Sequence, residues 1–181
     1  MLKKQIEWIS GRFALKSGIV IHQFDIKDYS FDKLIEYFEK MQQYEIAYEE
    51  KGAPYVKDHP KINISLSHSG NYSLCIIDFT GTHNVAVDIE KKEKKNIDTI
   101  MKVAFTEREF ESVKVSEDKE TEFYKIWTAK EAYLKILKKG FHEPLKNIEV
   151  VDGKVFENKQ DAGVIAEFNE YQGHYYSYII K

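Results

Sequence analysis

Asn84-Val85-Ala86-Val87-Asp88-Ile89-Glu90 is an apolar run that closes on two acids two residues apart. The run predicts a buried strand. Residues two apart in a strand share a face, so Asp88 and Glu90 present two carboxylates to one spot. A later stretch, Trp127-Thr128-Ala129-Lys130-Glu131-Ala132-Tyr133-Leu134-Lys135, reads as a helix in which Glu131 and Lys135, four apart, lie one above the other. Three carboxylates and one ammonium therefore converge where a strand end meets a helix. Oxygen-only ligands suit Mg²⁺, which keeps water and phosphate oxygens alongside a few carboxylates. The combination points to phosphate chemistry.

Working outward, residues 3–16 predict a helix with Ile6, Ile9 and Phe13, joined by Trp8, on the buried side. A second helix is expected over 31–50, where Leu34, Phe38, Met41 and Ile46 recur at helical spacing, until Gly52-Ala53-Pro54 breaks it. Strands are expected at 62–66, 73–79 and 85–90, with Gly81-Thr82 turning between the last two. Thr106-Glu107-Arg108-Glu109 has the form of a capping box opening a helix. A polar link at 116–119 precedes a long helix over 120–139, which Gly140 stops. Strands at 148–151, 164–168 and 175–180 follow, with Gly153 and Gly173 in turns. The order helix, strands, helix, strands gives an α+β protein with the look of two similar halves.

The bulk figures narrow the class. The sequence has 181 residues, 43% hydrophobic and 14% aromatic, which fits an ordinary globular chain and not a disordered one. A net charge of −3 gives no electrostatic reason to expect nucleic acid as a partner. The basic clusters at 91–95 and 135–139 read as solvated surface lysines or as contacts for phosphate. Cys75, the one cysteine, sits in an apolar run and reads as a buried structural thiol, consistent with a reducing cytosol. No apolar stretch reaches 18 residues and no signal peptide is apparent, so a cytoplasmic protein with no membrane partner is expected.

Upstream of the acidic strand, Asn63-Ile64-Ser65-Leu66-Ser67-His68-Ser69-Gly70 ends a strand in small polar residues and a glycine. Such an end offers hydroxyls, an imidazole and backbone donors to an anion. Adjacent strand residues point apart and no nucleophile elbow is visible, so this Ser-His pair does not read as hydrolase machinery. Taken in order, the Ser-His-Ser block, Val87-Asp88-Ile89-Glu90 and the helix 127–135 resemble the 4′-phosphopantetheinyl transferases of the single-chain, two-lobed, surfactin-synthetase-activating type. Phe105-Thr106 with Glu109, Gly140-Phe141 and Pro144-Leu145 extend the resemblance, which spans 52–150 with a weaker echo at Arg12. The small trimeric carrier-protein synthases carry their aspartate near the N-terminus, whereas Asp88 here follows a whole lobe.

The resemblance implies a pseudo-dimer of two similar α/β lobes, 1–83 and 84–181, each a small antiparallel sheet on a long helix. It implies transfer of 4′-phosphopantetheine from coenzyme A to a serine of an apo acyl or peptidyl carrier protein, by a monomer with Mg²⁺ or Mn²⁺. Asp88, Glu90 and Glu131 would hold the metal. Glu131 would also serve as base, and Lys135 would steady the departing phosphate. Lys130 would add phosphate contacts. Arg12, Ser67 and His68 would grip the 3′-phosphate end of coenzyme A, and the carrier protein would be met around 105–125.

Each residue also has a plainer reading. Glu131 and Lys135 are in the favourable order for a helix salt bridge worth about 0.3–0.5 kcal/mol. Trp127 reads as core, and His68 alone as a structural hydrogen-bonding residue. His22, His59, His83, His142 and His174 have no partners at metal-ligand spacing and read as surface or structural. The sequence departs from the family at Ala53, where a lysine is usual, with Lys51 or Lys57 as substitutes, and at Lys138, which takes a glycine's place. It also starts almost at the first helix, so an opening strand is not expected. The rival readings are a non-catalytic relative that binds a carrier protein or nucleotide, and another Mg²⁺-dependent phosphoryl-transfer enzyme.

Overall fold

A computed structural model describes residues 2–27, 30–93, 96–138 and 143–181. Gly140, Phe141 and His142, together with Lys94, Lys95 and Lys139, fall outside the described residues, as does the side chain of Leu34. The architecture mixes helices with small antiparallel sheets. Helices α1 (Leu2–Gln23) and α2 (Phe31–Met41) are followed by strands β1 (Ile46–Tyr48), β2 (Pro54–Val56), β3 (Asn63–Ser69), β4 (Tyr72–Asp78) and β5 (Val85–Lys91). Helices α3 (Ile97–Ala104), α4 (Glu107–Val115) and α5 (Lys119–Leu137) come next, then β6 (Ile148–Val151), β7 (Lys154–Glu157), β8 (Gln160–Tyr171) and β9 (His174–Ile180).

The strands form two hairpins, β1–β2 and β3–β4, and a five-stranded sheet in the order β5-β9-β8-β7-β6. Helix α1 packs on β3 and β4, and α5 packs on β5 and β9. Two apolar clusters result. One gathers Leu15, Ile19, Val20, Met41, Ile46, Val56 and Ile64; the other gathers Ala86, Phe105, Phe123, Tyr124, Ala132, Tyr133, Ile148 and Ile179.

Four sequence expectations need correction. First, the side of α1 expected to be buried is turned outward: Ile6, Trp8, Ile9 and Phe13 are 57, 56, 59 and 41% exposed. The face that packs is Gly11, Leu15, Gly18 and Ile19. A Cβ on Gly11 would stand 2.8 Å from a Leu66 methyl, and one on Gly18 would stand 2.8 Å from that of Ile77. The helix lies so close to the hairpin that only hydrogen atoms fit at the crossing.

Second, the helix expected to run to residue 50 stops at Met41. Ile46 and Val56 pair across the β1–β2 hairpin and bury their side chains, a gain that overrides the helix propensity of the intervening Gln, Glu and Ala. Gly52, at φ +86°, makes the turn. Third, α3 is a helix of its own, capped by Asn96 accepting from the Thr99 N–H. Fourth, β7 is an additional strand, and β8 is much longer than expected. The capping box at Thr106 is present in full, and α5 begins one residue early and ends at Leu137.

Candidate active site

The site forms where β3, β5 and α5 meet. On β5, Ala86, Asp88 and Glu90 alternate onto one face, and Ala86 joins the cluster beneath α5. On α5, Trp127, Glu131 and Lys135 recur every four residues and make a stripe along that strand. The Trp127 indole N–H donates to Glu90 Oε1 at 3.4 Å, and Lys135 Nζ donates to Asp88 Oδ1 at 2.9 Å. Glu131 lies between them in the stripe.

Lys135 has three ammonium hydrogens and three acceptors. Besides Asp88 it donates to the Val87 carbonyl at 2.8 Å and the Leu66 carbonyl at 3.3 Å. It therefore belongs to no solvated surface cluster; it ties β3, β5 and α5 together. Asp88 is 6% exposed. Its Oδ1 takes hydrogen bonds from Lys135 and from Ser67 Oγ at 2.8 Å, while its Oδ2 is buried with no partner.

Glu131 is pushed up to about 7 from an ordinary 4.5. Burial is the main cause; the charges of Asp88 and Glu90 add to it and Lys135 opposes it. The charges of Asp88 and Glu90 thus reach Glu131. The three acids do not close into a tight cage, however: among the described residues no three His, Cys, Asp or Glu stand at metal-ligand spacing. Two of them accept from side chains of α5, Asp88 from Lys135 and Glu90 from Trp127. The donor set still fits a hard divalent cation, because a buried carboxylate oxygen with no hydrogen-bond partner and a neighbouring buried carboxyl beside like charges are both relieved by positive charge.

The other residues expected to contact coenzyme A are placed as follows. Lys130 is fully buried and meets Glu109 at 2.5 Å and the Ala104 carbonyl at 2.7 Å. Adjacent helix positions point about 100° apart, so the face that carries Glu131 to the site turns Lys130 into the core, away from any phosphate. Burial pushes Glu109 up and Lys130 down, against their mutual attraction. Ser67 and His68 face opposite ways along β3: Ser67 meets Asp88, whereas His68 is exposed beside Glu7 of α1, 3.9 Å away. Arg12 stacks on the Trp8 ring at 3.3 Å and lies near that of Tyr48. Among the other histidines, His174 is 5% exposed under the edge of Tyr72, a structural position.

Sequence reading missed the role of the alternating serines. Ser65 Oγ accepts the Val87 N–H at 3.1 Å and Ser69 Oγ accepts the Lys91 N–H at 2.9 Å, so hydroxyls of β3 stand in for a backbone ladder against β5. The signal was the Ser-x-Ser-x-Ser period of two. Beside this seam opens a cavity of about 400 Å³ whose walls include Lys51, Ala53, Ser65, Glu131, Lys135 and Lys138. Of the two lysines offered as substitutes at Ala53, Lys51 reaches this cavity, while Lys57 pairs with Glu45 at 2.8 Å.

Two buried carboxyls, Asp88 and Glu131, thus stand beside the Lys135 ammonium, and Glu131 and Lys135 also line the cavity. A family profile for the 4′-phosphopantetheinyl transferase superfamily matches residues 84–176, which include β5, α5 and most of the five-stranded sheet. A 4′-phosphopantetheinyl transferase of Bacillus subtilis is 33% identical over 104 residues, 56% of this chain and 45% of its own. HetI of Nostoc, also named a 4′-phosphopantetheinyl transferase, is 32% identical over 114 residues, 60% of this chain and 47% of its own. The transferase gsp of Aneurinibacillus migulanus is 31% identical over 100 residues, 54% of this chain and 40% of its own. The chain belongs to the 4′-phosphopantetheinyl transferase superfamily. It spans about half the length of the curated relatives it matches.

Proposed function

We propose that this protein transfers the 4′-phosphopantetheine group of coenzyme A to a serine of an apo acyl or peptidyl carrier protein, releasing adenosine 3′,5′-bisphosphate. The observation that carries the reading is Asp88, whose Oδ1 is fixed by two donors while its buried Oδ2 has none, beside Glu131 on the wall of the cavity. Asp88 and Glu131, with Glu90 as the third acid, would hold Mg²⁺ or Mn²⁺. A bound cation of this kind neutralises charge on the pyrophosphate.

The carrier serine oxygen forms a bond to the β-phosphorus, the bond from that phosphorus to the bridging oxygen breaks, and the nucleotide bisphosphate leaves. Glu131, the carboxyl on the cavity wall, would take the serine proton, directly or through a bound water. The ammonium of Lys135 supplies positive charge beside the departing phosphate. Lys51 and Lys138 on the cavity wall would receive the remainder of coenzyme A, with Arg12 and His68 as outer contacts for its 3′-phosphate. Lys130 has no part in binding on this reading. The molecule would act as a monomer whose lobes, 1–83 and 84–181, form a pseudo-dimer around the site.

Mass spectrometry of a panel of apo carrier proteins incubated with coenzyme A and Mg²⁺ tests the reading. A mass gain of one phosphopantetheine on at least one carrier is expected, lost in EDTA. In Asp88→Ala it should fall by orders of magnitude, with the far-UV spectrum unchanged. Transfer that persists in EDTA, or no transfer to any class of carrier, would overturn it.

A further inference from the structure

Ser67 occupies an unusual position among the serines of β3. Ser65 and Ser69 accept backbone N–H groups of β5, whereas Ser67 donates, and to a side chain. Ser67 is 8% exposed and Asp88 6%. A phosphate oxygen needs a donor, and the single O–H of Ser67 is already given to Asp88 Oδ1. Lys135 takes the same oxygen, and its other two hydrogens are held by the Leu66 and Val87 carbonyls. Two donors on Oδ1 and none on the buried Oδ2 make a carboxylate with one restrained end and one end without a hydrogen-bond partner among the described residues.

We propose that Ser67 is a positioning residue for Asp88: with Lys135 it pins Oδ1 and so aims Oδ2 at a divalent cation, instead of binding coenzyme A. The inference rests on Asp88 being a cation ligand, as proposed above. Partners that orient a metal-binding carboxylate change metal affinity by about 10–100-fold when removed. A residue that touched coenzyme A would leave metal affinity alone and raise KM for that substrate. His68, on the opposite face of β3, remains available to the substrate side. The Ser-His-Ser block therefore divides by strand parity, odd positions toward β5 and even positions toward α1.

The test is Mn²⁺ binding to the protein alone, followed by electron paramagnetic resonance, alongside steady-state kinetics. Ser67→Ala should weaken Mn²⁺ binding about tenfold and lower kcat, while KM for coenzyme A changes less than twofold. Ser67→Thr, which keeps the hydroxyl, should restore most of the affinity. If Ser67→Ala does not fold, Ser67→Cys keeps the volume with a weaker donor and should show the same direction of change. Unchanged Mn²⁺ affinity in a folded variant overturns the inference, whether or not KM rises. A wild-type protein that binds no Mn²⁺ overturns it together with the metal reading of Asp88. A wild-type protein that binds Mn²⁺, weakly in Ser67→Ala, yet loads no carrier protein leaves Ser67's role standing and removes only the transferase reading.

Discussion

At the scale of single residues the site is held under electrostatic load. Glu131 must accept burial beside Asp88 and Glu90, and its proton affinity rises from 4.5 to about 7. A carboxyl raised in the folded state supports folding fully below its unfolded value. That support is lost as pH climbs from about 4.5 to about 7, because the unfolded chain releases the proton first. The loss corresponds to about 3 kcal/mol when complete. Glu131→Gln, a neutral shape-mimic, should therefore stabilise EDTA-treated protein at pH 8 by about 1–3 kcal/mol and have little effect at pH 4. Denaturant melts at the two pH values check this; an equal effect at both would mean that burial with like charge is not what loads Glu131. On the transfer reaction proposed above, the same variant is expected to lose activity while gaining stability.

At the scale of elements, α1 carries the clearest lesson. Its large apolar residues are on the outside, where Phe13 meets Phe38 with ring centres 5.6 Å apart. Its contact face is drawn by Gly11 and Gly18, seven residues apart, where the helix nearly touches Leu66 and Ile77. The Leu66 carbonyl is an acceptor for Lys135, so the spacing of α1 from β3 bears on the position of the site's ammonium. Gly11→Val should lower stability by about 1–3 kcal/mol through overpacking. Ile9→Lys should change it by no more than about 0.5 kcal/mol. Thermal denaturation of both variants decides between the two faces, and a large loss from Ile9→Lys would restore the face that hydropathy favours.

At the scale of the whole molecule, two apolar clusters meet across a seam where β3 reaches β5 through serine hydroxyls and Lys135, with no backbone ladder between these strands among the described residues. Among the described residues the cluster under α5 is the larger. Apolar burial is the main source of local stability, so the two parts should open at different free energies. In native-state hydrogen exchange the amides of α1 and β1–β4 should exchange ahead of those of α5 and β9, with Val87 and Lys91 among the first of β5. Exchange of the entire chain in one step would show that the seam is as strong as the clusters it joins.

That Asp88 and Glu90 share a face of β5, and Glu131 and Lys135 a face of α5, was legible from the sequence, because strand and helix periodicities are local and fix which side chains share a face. The capping box at Thr106 and the strands 148–151 and 175–180 were readable for the same reason. Lys130 and Ser67 were not. Whether a lysine on a helix meets solvent or a buried Glu109, and whether a serine meets a ligand or Asp88, depends on what lies across the interface from it. The buried face of α1 was hidden likewise, since hydropathy marks large side chains and the tightest packing here is made by glycines. The sequence by itself determined the residue types, their periods and the family they resemble. The tertiary structure alone decided which partner each polar group found, since a hydrogen bond or a close approach is settled by residues far away in the chain.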